Sequence, residues 1–399
     1  MCRVSGGLGG PCCDPGTGVK TRDNPGSLGT VFKVMMLKRC VAALAAIAGC
    51  VLGVAAPAAA AVPSPGRAIA RGLLPVATSW PAPLRGIVLG YPSRTVGARP
   101  SLIVTGDGGR TWRPLPAPPV RYPADQDQPD ATWADGIIAV TDGTHIFATR
   151  DAGRHWSIER LAGVSGAFYV DHLAIASSRV FALVTTVGNA RAAVYSGRVQ
   201  AGVLRPVPGL SITGSPSYGD ITAAGALQVD LGANFAAERY WYSRDGVHFI
   251  AAPPPCPAAT MALLGGVHAG RVSALCNGSP SDIAPGINDK QVWAAGQLGG
   301  TFRPSGPVFV SPNQEEFAAA SARAMTVATI FTLAVTVNAD RTWATALTQG
   351  NGAVWRDLSF PSATTGVVMC ATTNNANQQV ATVYRTTDTG RTWHPLSLP

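Results

Sequence analysis

The stretch AERYWYSRDG at 237–246 sets Glu238, Tyr240 and Tyr242 at alternate positions, with Arg239 and Trp241 between them. In an extended strand that spacing puts the acid and both phenols on one face, and the arginine and indole on the other. It is the best acid-plus-tyrosine neighbourhood in the chain, a grouping in which a carboxylate could activate a neighbouring phenol. Past residue 61 the glutamates are few: Glu159, Glu238, Glu315 and Glu316. The plainer reading makes 237–246 an aromatic strand leading into a turn. ADQDQPDATWAD (124–135) gathers Asp125, Asp127, Asp130 and Asp135, an acid set suited to calcium. It lacks the regular ligand spacing and central glycine of a calcium loop and reads as a solvated connection. The 6 histidines are dispersed, with neither metal nor triad spacing. GLSITG around Ser211 is not a nucleophile elbow. No cofactor or metal is expected.

The elements that would carry these residues come from a repeat. TGDGGRTW (105–112), TRDAGRHW (149–156) and TTDTGRTW (386–393) share Thr, Asp, Gly, Arg and Trp in step. SRDGVHF (243–249) is a shorter copy; AGQLGGTF (295–302), QGNGAVW (349–355) and SGRVQAGVL (196–204) read as weaker ones. Their last residues are Trp112, Trp156, Leu204, Phe249, Phe302, Trp355 and Trp393, on average about 47 residues apart, the length of a four-stranded propeller blade. Between copies lie pairs of apolar runs joined by turns, as in DGIIAVTDGTHIFATRD with Asp142-Gly143 at the bend, a hairpin signal. The prediction is an all-β, seven-bladed β-propeller of four-stranded antiparallel blades over 77–399. Helix-like patches such as EEFAAASARAM (315–325) are short decorations.

The repeated phrase resembles the Asp box, or bacterial neuraminidase repeat, Ser/Thr-x-Asp-x-Gly-x-Thr-Trp. The resemblance implies a hairpin loop between the third and fourth strands of each blade. Asp107, Asp151, Asp245 and Asp388 would accept N–H bonds of their own loops. Gly109, Gly153, Gly246 and Gly390 supply the turn, where positive φ is needed. Trp112, Trp156, Phe249 and Trp393 would bury their rings between sheets. Relatives of this kind include sialidases, endoglucanases and non-enzymatic photosystem II assembly factors, and in them the boxes lie away from the binding face. A sialidase-like site needs three arginines, a Tyr–Glu nucleophile pair and an aspartic acid/base. The first arginine motif is broken here, at RGLLP (71–75), and Glu238 with Tyr240 or Tyr242 is the best remaining pair. The expectation is therefore a binding propeller for a protein or glycan, without catalysis. The alternative is a sialidase-like glycoside hydrolase acting in the central funnel.

Composition fits. Charged residues are 13%, with 45 Gly and 32 Pro, against about a quarter charged in ordinary domains. MMLKR followed by CVAALAAIAGCVLGVAAPAAAA reads as a secretory signal over 35–61. It is preceded by an unpatterned extension (1–34) and followed by a linker (62–76). Cys50 sits in a lipobox-like IAGC, so a lipid anchor or a retained signal stays open beside plain secretion. Loss of 6 basic and 2 acidic residues with 1–61 takes the net charge from +9 to +5, and the remaining arginines are scattered. No nucleic-acid partner is expected, and the reading is a monomer. Cys256 and Cys276, expected on neighbouring strands of a secreted protein, should pair, leaving Cys370 a buried free thiol.

Overall fold

A computed structural model describes residues 72–399 except 124–128, 187, 189, 215–216, 234–235, 258–261, 281–286, 313–315, 330–331, 350–352 and 374–378. The chain divides into Met1–Val34, outside the described residues, and Met35–Pro399. The candidate signal, Cys50 and the positions around Asp125 and Asp127 also lie outside them.

Every described element of regular structure is a strand. The first antiparallel sheet holds β1 (Leu74–Ala82), β2 (Arg85–Tyr91), β3 (Ser101–Thr105) and β4 (Arg113–Leu115) in that order. An eight-stranded sheet follows. One half is β5 (Asp130–Ala134), β6 (Ile137–Thr141), β7 (Ile146–Thr149) and β8 (Ser157–Leu161). The other is β9 (Phe168–Ala176), β10 (Arg179–Thr186), β11 (Arg191–Arg198) and β12 (Val203–Thr213). The halves meet where β8 and β12 pair in parallel, at Arg160–Leu161 and Val203–Leu204. Then come β13 (Ser217–Thr222), β14 (Leu227–Ala233), β15 (Ala236–Ser243) and β16 (Ile250–Ala252). The next sheet is β17 (Ala262–His268), β18 (Arg271–Pro280), β19 (Ile287–Ala295) and β20 (Arg303–Pro312). The last two are β21 (Glu316–Ala319), β22 (Met325–Ala328), β23 (Thr332–Thr336), β24 (Ala344–Thr348), and β25 (Val354–Ser359), β26 (Gly366–Thr373), β27 (Gln379–Thr386), β28 (His394–Pro395).

The sheets follow one another around a ring. β1 contacts β5, β5 contacts β9, and the succession runs through β13, β17, β21 and β25 back to β1. Such a ring of radially arranged antiparallel sheets is a β-propeller. Apolar side chains on both faces of each sheet fill the wedges between neighbours, as Leu183, Val229 and Trp241 do in one cluster and Val272, Tyr240 and Phe302 in the next. The inner strands also exchange hydrogen bonds around the ring. Ser79 Oγ accepts from Trp133 N (2.9 Å), Asp130 from Leu173 N (3.2 Å), Asp220 from Leu264 N (2.7 Å) and Asp357 from Thr78 N (2.7 Å). The three carboxylate bonds are buried, so they form in a medium where an unmet N–H is costly.

Several sequence expectations shift. β1 begins at Leu74, inside the stretch assigned to the linker. EEFAAASARAM is not a helix: Glu316–Ala319 forms the inner strand β21 and Met325 opens β22. Glu316–Ala319 is buried at every position, so it has no polar face to offer a surface helix. Trp355 lies in the inner strand β25 and closes no loop. The turn in that part of the chain is TVNADRTW (336–343), between β23 and β24.

Candidate functional site

Because each strand reverses the last, the connections sort onto two faces. The linker into each first strand and the loop between second and third strands share one face, here called upper. Hairpins between first and second strands, and the repeated loops between third and fourth, lie on the lower face.

The repeated loops share one bond pattern. Thr105 Oγ1 donates to Asp107 (2.8 Å) and accepts from Gly109 N (2.9 Å), while Asp107 accepts from Thr111 N (2.9 Å) and Thr111 Oγ1 (2.6 Å). Thr149/Asp151/Gly153 and Thr386/Asp388/Gly390 repeat it. So does Thr336 with Asn338 and Asp340: Asn338 Oδ1 accepts from Thr342 N (3.1 Å) and Asp340 N donates to Thr336 (3.2 Å). Asp245 accepts from Val247 N and His248 N (both 2.8 Å), and Gly246 N donates to Ser243 (2.9 Å). Bonds from Thr111 hold Asp107 down to about 2, and those led by the His155 N–H do the same for Asp151. Asp245 is lowered chiefly by His248. At Asp388 burial pushes up, but the Thr392 and Thr386 bonds outweigh it. These carboxylates are saturated by their own loops, which leaves them little capacity for proton transfer. The rings are less buried than expected: Trp112 and Trp156 are half-buried, their N–H groups donating to Ser397 O and Pro116 O, and Phe249 stacks edge-on to Phe181. Trp393 is buried.

Of the catalytic candidates, Tyr240 is buried and Tyr242 half-buried. Tyr240 is 1% exposed and gives its hydroxyl to Gln228 Oε1 at 2.7 Å. Burial, reinforced by the Asp230 charge, pushes its phenol far above the usual range. Tyr242 packs in the same apolar cluster. The side chain of Glu238, on β15, lies outside what is described. Cys256 and Cys276 are bonded, but Cys256 sits in the linker after β16 and only Cys276 is on a strand. Cys370 is buried and free, its thiol pushed up to about 12 by burial. Of the acid cluster, Asp130 and Asp135 are engaged by Leu173 N and Ser178 N, which is structural use. Among the described residues no group of acids, histidines and cysteines is placed to hold a metal.

A different cluster assembles on the upper face. The loop 92–100 carries Arg94, and the linker into β5 carries Tyr122. The two segments are clasped by Gly97 N to Tyr122 O (2.9 Å) and Tyr122 N to Ala98 O (3.0 Å). Tyr122 stacks edge-on against Tyr91 at 5.1 Å. From the neighbouring inner strands come Arg356 and Asp357 on β25 and Glu316 on β21. Arg356 is half-buried by area, yet the protein around it strips enough water to draw its guanidinium down to about 10, aided by the Arg94 charge. Asp357, Glu316 and Tyr122 act in the opposite direction. Arg356 Nε has no hydrogen-bond partner among the described residues. Tyr91 is raised by burial first, then by Asp142 on the adjoining upper loop. Arg94 and Arg356 thus stand beside Tyr122 with two carboxylates, Asp357 and Glu316, at the same place, and the guanidiniums offer paired N–H donors to an oxyanion. No sequence window contains this group, since its members come from four separate stretches of chain.

Comparison with protein-family models gives no match, and comparison with the curated proteins gives none. Solved structures do match. An ulvan lyase, a polysaccharide lyase, superposes with a TM-score of 0.51 at 8% identity, covering 79% of this chain and 92% of its own. The same kind of enzyme bound to -[GlcA(1-4)Rha3S]- gives 0.50 at 9%, with equal coverage. The β-propeller domain of the Trilobed protease from Pyrococcus furiosus gives 0.49 at 8%, over 83% and 97%. The likeness is one of fold.

Proposed function

We propose that the protein is a secreted or cell-surface binding propeller without catalytic activity, which holds an anionic glycan or protein group at Arg94 and Arg356 on the upper face. In this reading the eight-stranded sheet counts as two blades joined at their outer edges, giving seven, and the lower-face loops are Asp boxes that fasten each blade. The observation that carries it is the convergence of Arg94, Arg356 and Tyr122 on a clasped loop. Arginine binds carboxylate and sulfate through paired N–H groups, and a loop held in place loses little freedom on binding. The lyase of similar fold bound to a uronate- and sulfate-bearing saccharide agrees with an acidic glycan as the ligand class. The Cys256–Cys276 disulfide suits an oxidising compartment.

The test is binding of uronate-bearing oligosaccharides, with their carboxyl-reduced forms as controls. Arg356→Gln and Arg94→Gln should each weaken binding by about tenfold or more. Equal binding of the acidic and reduced sugars would remove the proposal.

A glycoside hydrolase is the second reading, favoured by Glu316 and Tyr122 standing within electrostatic reach of the arginines. Its check is turnover of a fluorogenic sialoside; turnover lost in Glu316→Gln would replace the binding reading with this one.

A further inference from the structure

A second place on the upper face has the makings of a ligand site, between the linker from β8 to β9 and the outer part of β10 and β11. It is a cleft of about 130 Å³ lined by Gly163, Val164, Ser165, Val184, Thr186, Arg191, Ala193 and Tyr195. Its floor is apolar: Val184, Ala193 and Tyr195 belong to the buried cluster of that wedge, with Val164 packed against it. Its rim is polar. Arg191 is exposed at the start of β11, two pleats from Tyr195 on the same face. Both line the same cleft, and the Arg191 charge opposes the rise that burial imposes on the Tyr195 phenol.

Neither the Arg191 guanidinium nor the Tyr195 hydroxyl has a hydrogen-bond or ion-pair partner among the described residues. Asp171, on the adjoining strand β9, takes the Thr185 hydroxyl. Thr185 alternates with Val184 and Thr186, and so faces away from the cleft. A cation and a phenolic donor thus overlook an apolar floor with no acid between them.

We propose that this cleft binds a small carboxylate carrying a short branched apolar body. The carboxylate pairs with Arg191 and accepts from Tyr195, and the apolar body rests on Val184 and Ala193. Drug-sized ligands occupy roughly 300–1,000 Å³, so this volume suits only a few non-hydrogen atoms. That chemistry is found in a free short-chain acid and in the C-terminal residue of a peptide.

The experiment titrates the purified full-length protein with isobutyrate and with N-acetylvaline, each against its own amide, by calorimetry. The acids should bind and the amides bind at least about tenfold more weakly. Tighter binding of isobutyrate assigns the cleft to a free acid, and tighter binding of N-acetylvaline to a chain terminus. Arg191→Gln should lower acid affinity by about tenfold or more and Tyr195→Phe by about threefold to tenfold, with unfolding midpoints close to the parent. The titrations are repeated with Arg94→Gln and Arg356→Gln together, which removes the other upper-face site, so that a response to Arg191→Gln on that background belongs to this cleft. Acid and amide binding alike, undiminished binding by Arg191→Gln, or no saturable binding up to about 10 mM each overturns the assignment.

Discussion

Asp230 offers a sharp test of how this ring tolerates charge. It lies on β14 opposite Asp220 on one side and Tyr240 on the other. It is 1% exposed, and neither carboxyl oxygen has a hydrogen-bond partner among the described residues. Asp220 accepts the Leu264 N–H, and burial, then the Asp220 charge, raises Asp230 well above the carboxylate range. The folded protein therefore holds a proton on Asp230 that the unfolded chain gives up near 3.8. Between those two values the folded state binds more protons than the unfolded one, and the stability from this site falls as pH rises. The slope is about 1.4 kcal/mol per pH unit, present in full below the unfolded value and exhausted above the folded one. Asp230→Asn keeps the shape and cannot ionise. Urea denaturation of both proteins from pH 4 to 8 should show the variant gaining on the parent by about that slope. Titrations of groups distant from this pair cancel in the difference. A difference that stays level with pH, or that moves in favour of the parent, would mean that Asp230 is ionised in the fold and the account of this pair is wrong.

Further outcomes can be measured on the same material. Gly153 has φ of 86°, and a Cβ there would meet Pro116 O at 2.4 Å; Gly153→Ala should cost about 2–4 kcal/mol in chemical denaturation. The disulfide closes a separation of 20 residues, so Cys256→Ser with Cys276→Ser should lower stability by about 3 kcal/mol, read from the shift in denaturation midpoint. Cys370, buried and with its thiol raised to about 12, should resist alkylation in the native protein and react on unfolding; rapid native labelling would contradict its placement.

The regular copies of the repeat located their own hairpins because an acid, a glycine and a ring at fixed spacing have a local physical reason. The copy at 336–343 was missed for an equally local reason. Asn338 stands where the acid is elsewhere, and Asp340 occupies the left-handed position, at φ of 68°, that Gly109, Gly153 and Gly390 fill in the others. Asp340 reaches Ser305 Oγ (2.5 Å) and Arg271 (3.2 Å) on the preceding sheet, contacts that sit beside its unfavourable backbone and that no reading of the loop alone supplies. QGNGAVW drew attention through its glycines and Trp355, but that indole belongs to an inner strand whose flanking wedges need bulk. The Tyr240 stretch was legible as a strand. Its burial was not, because alternation tells which residues share a face and is silent on what covers that face. Arg94, Tyr122, Glu316 and Arg356 carry no common local pattern, and only the ring brings them together.

The closure between β25 and β1 has a kinetic consequence. Asp357 meets Thr78 across 279 positions, Trp112 meets Ser397 across 285, and Arg385 meets Pro83 across 302. Hairpins within a sheet can form from short searches, whereas these contacts demand that the whole polymer be looped back on itself. The final annealing of the circle should accordingly be the slow event on the way to the native protein. Until it occurs, two apolar sheet flanks remain open to water and to other chains, and there intermolecular association competes with folding.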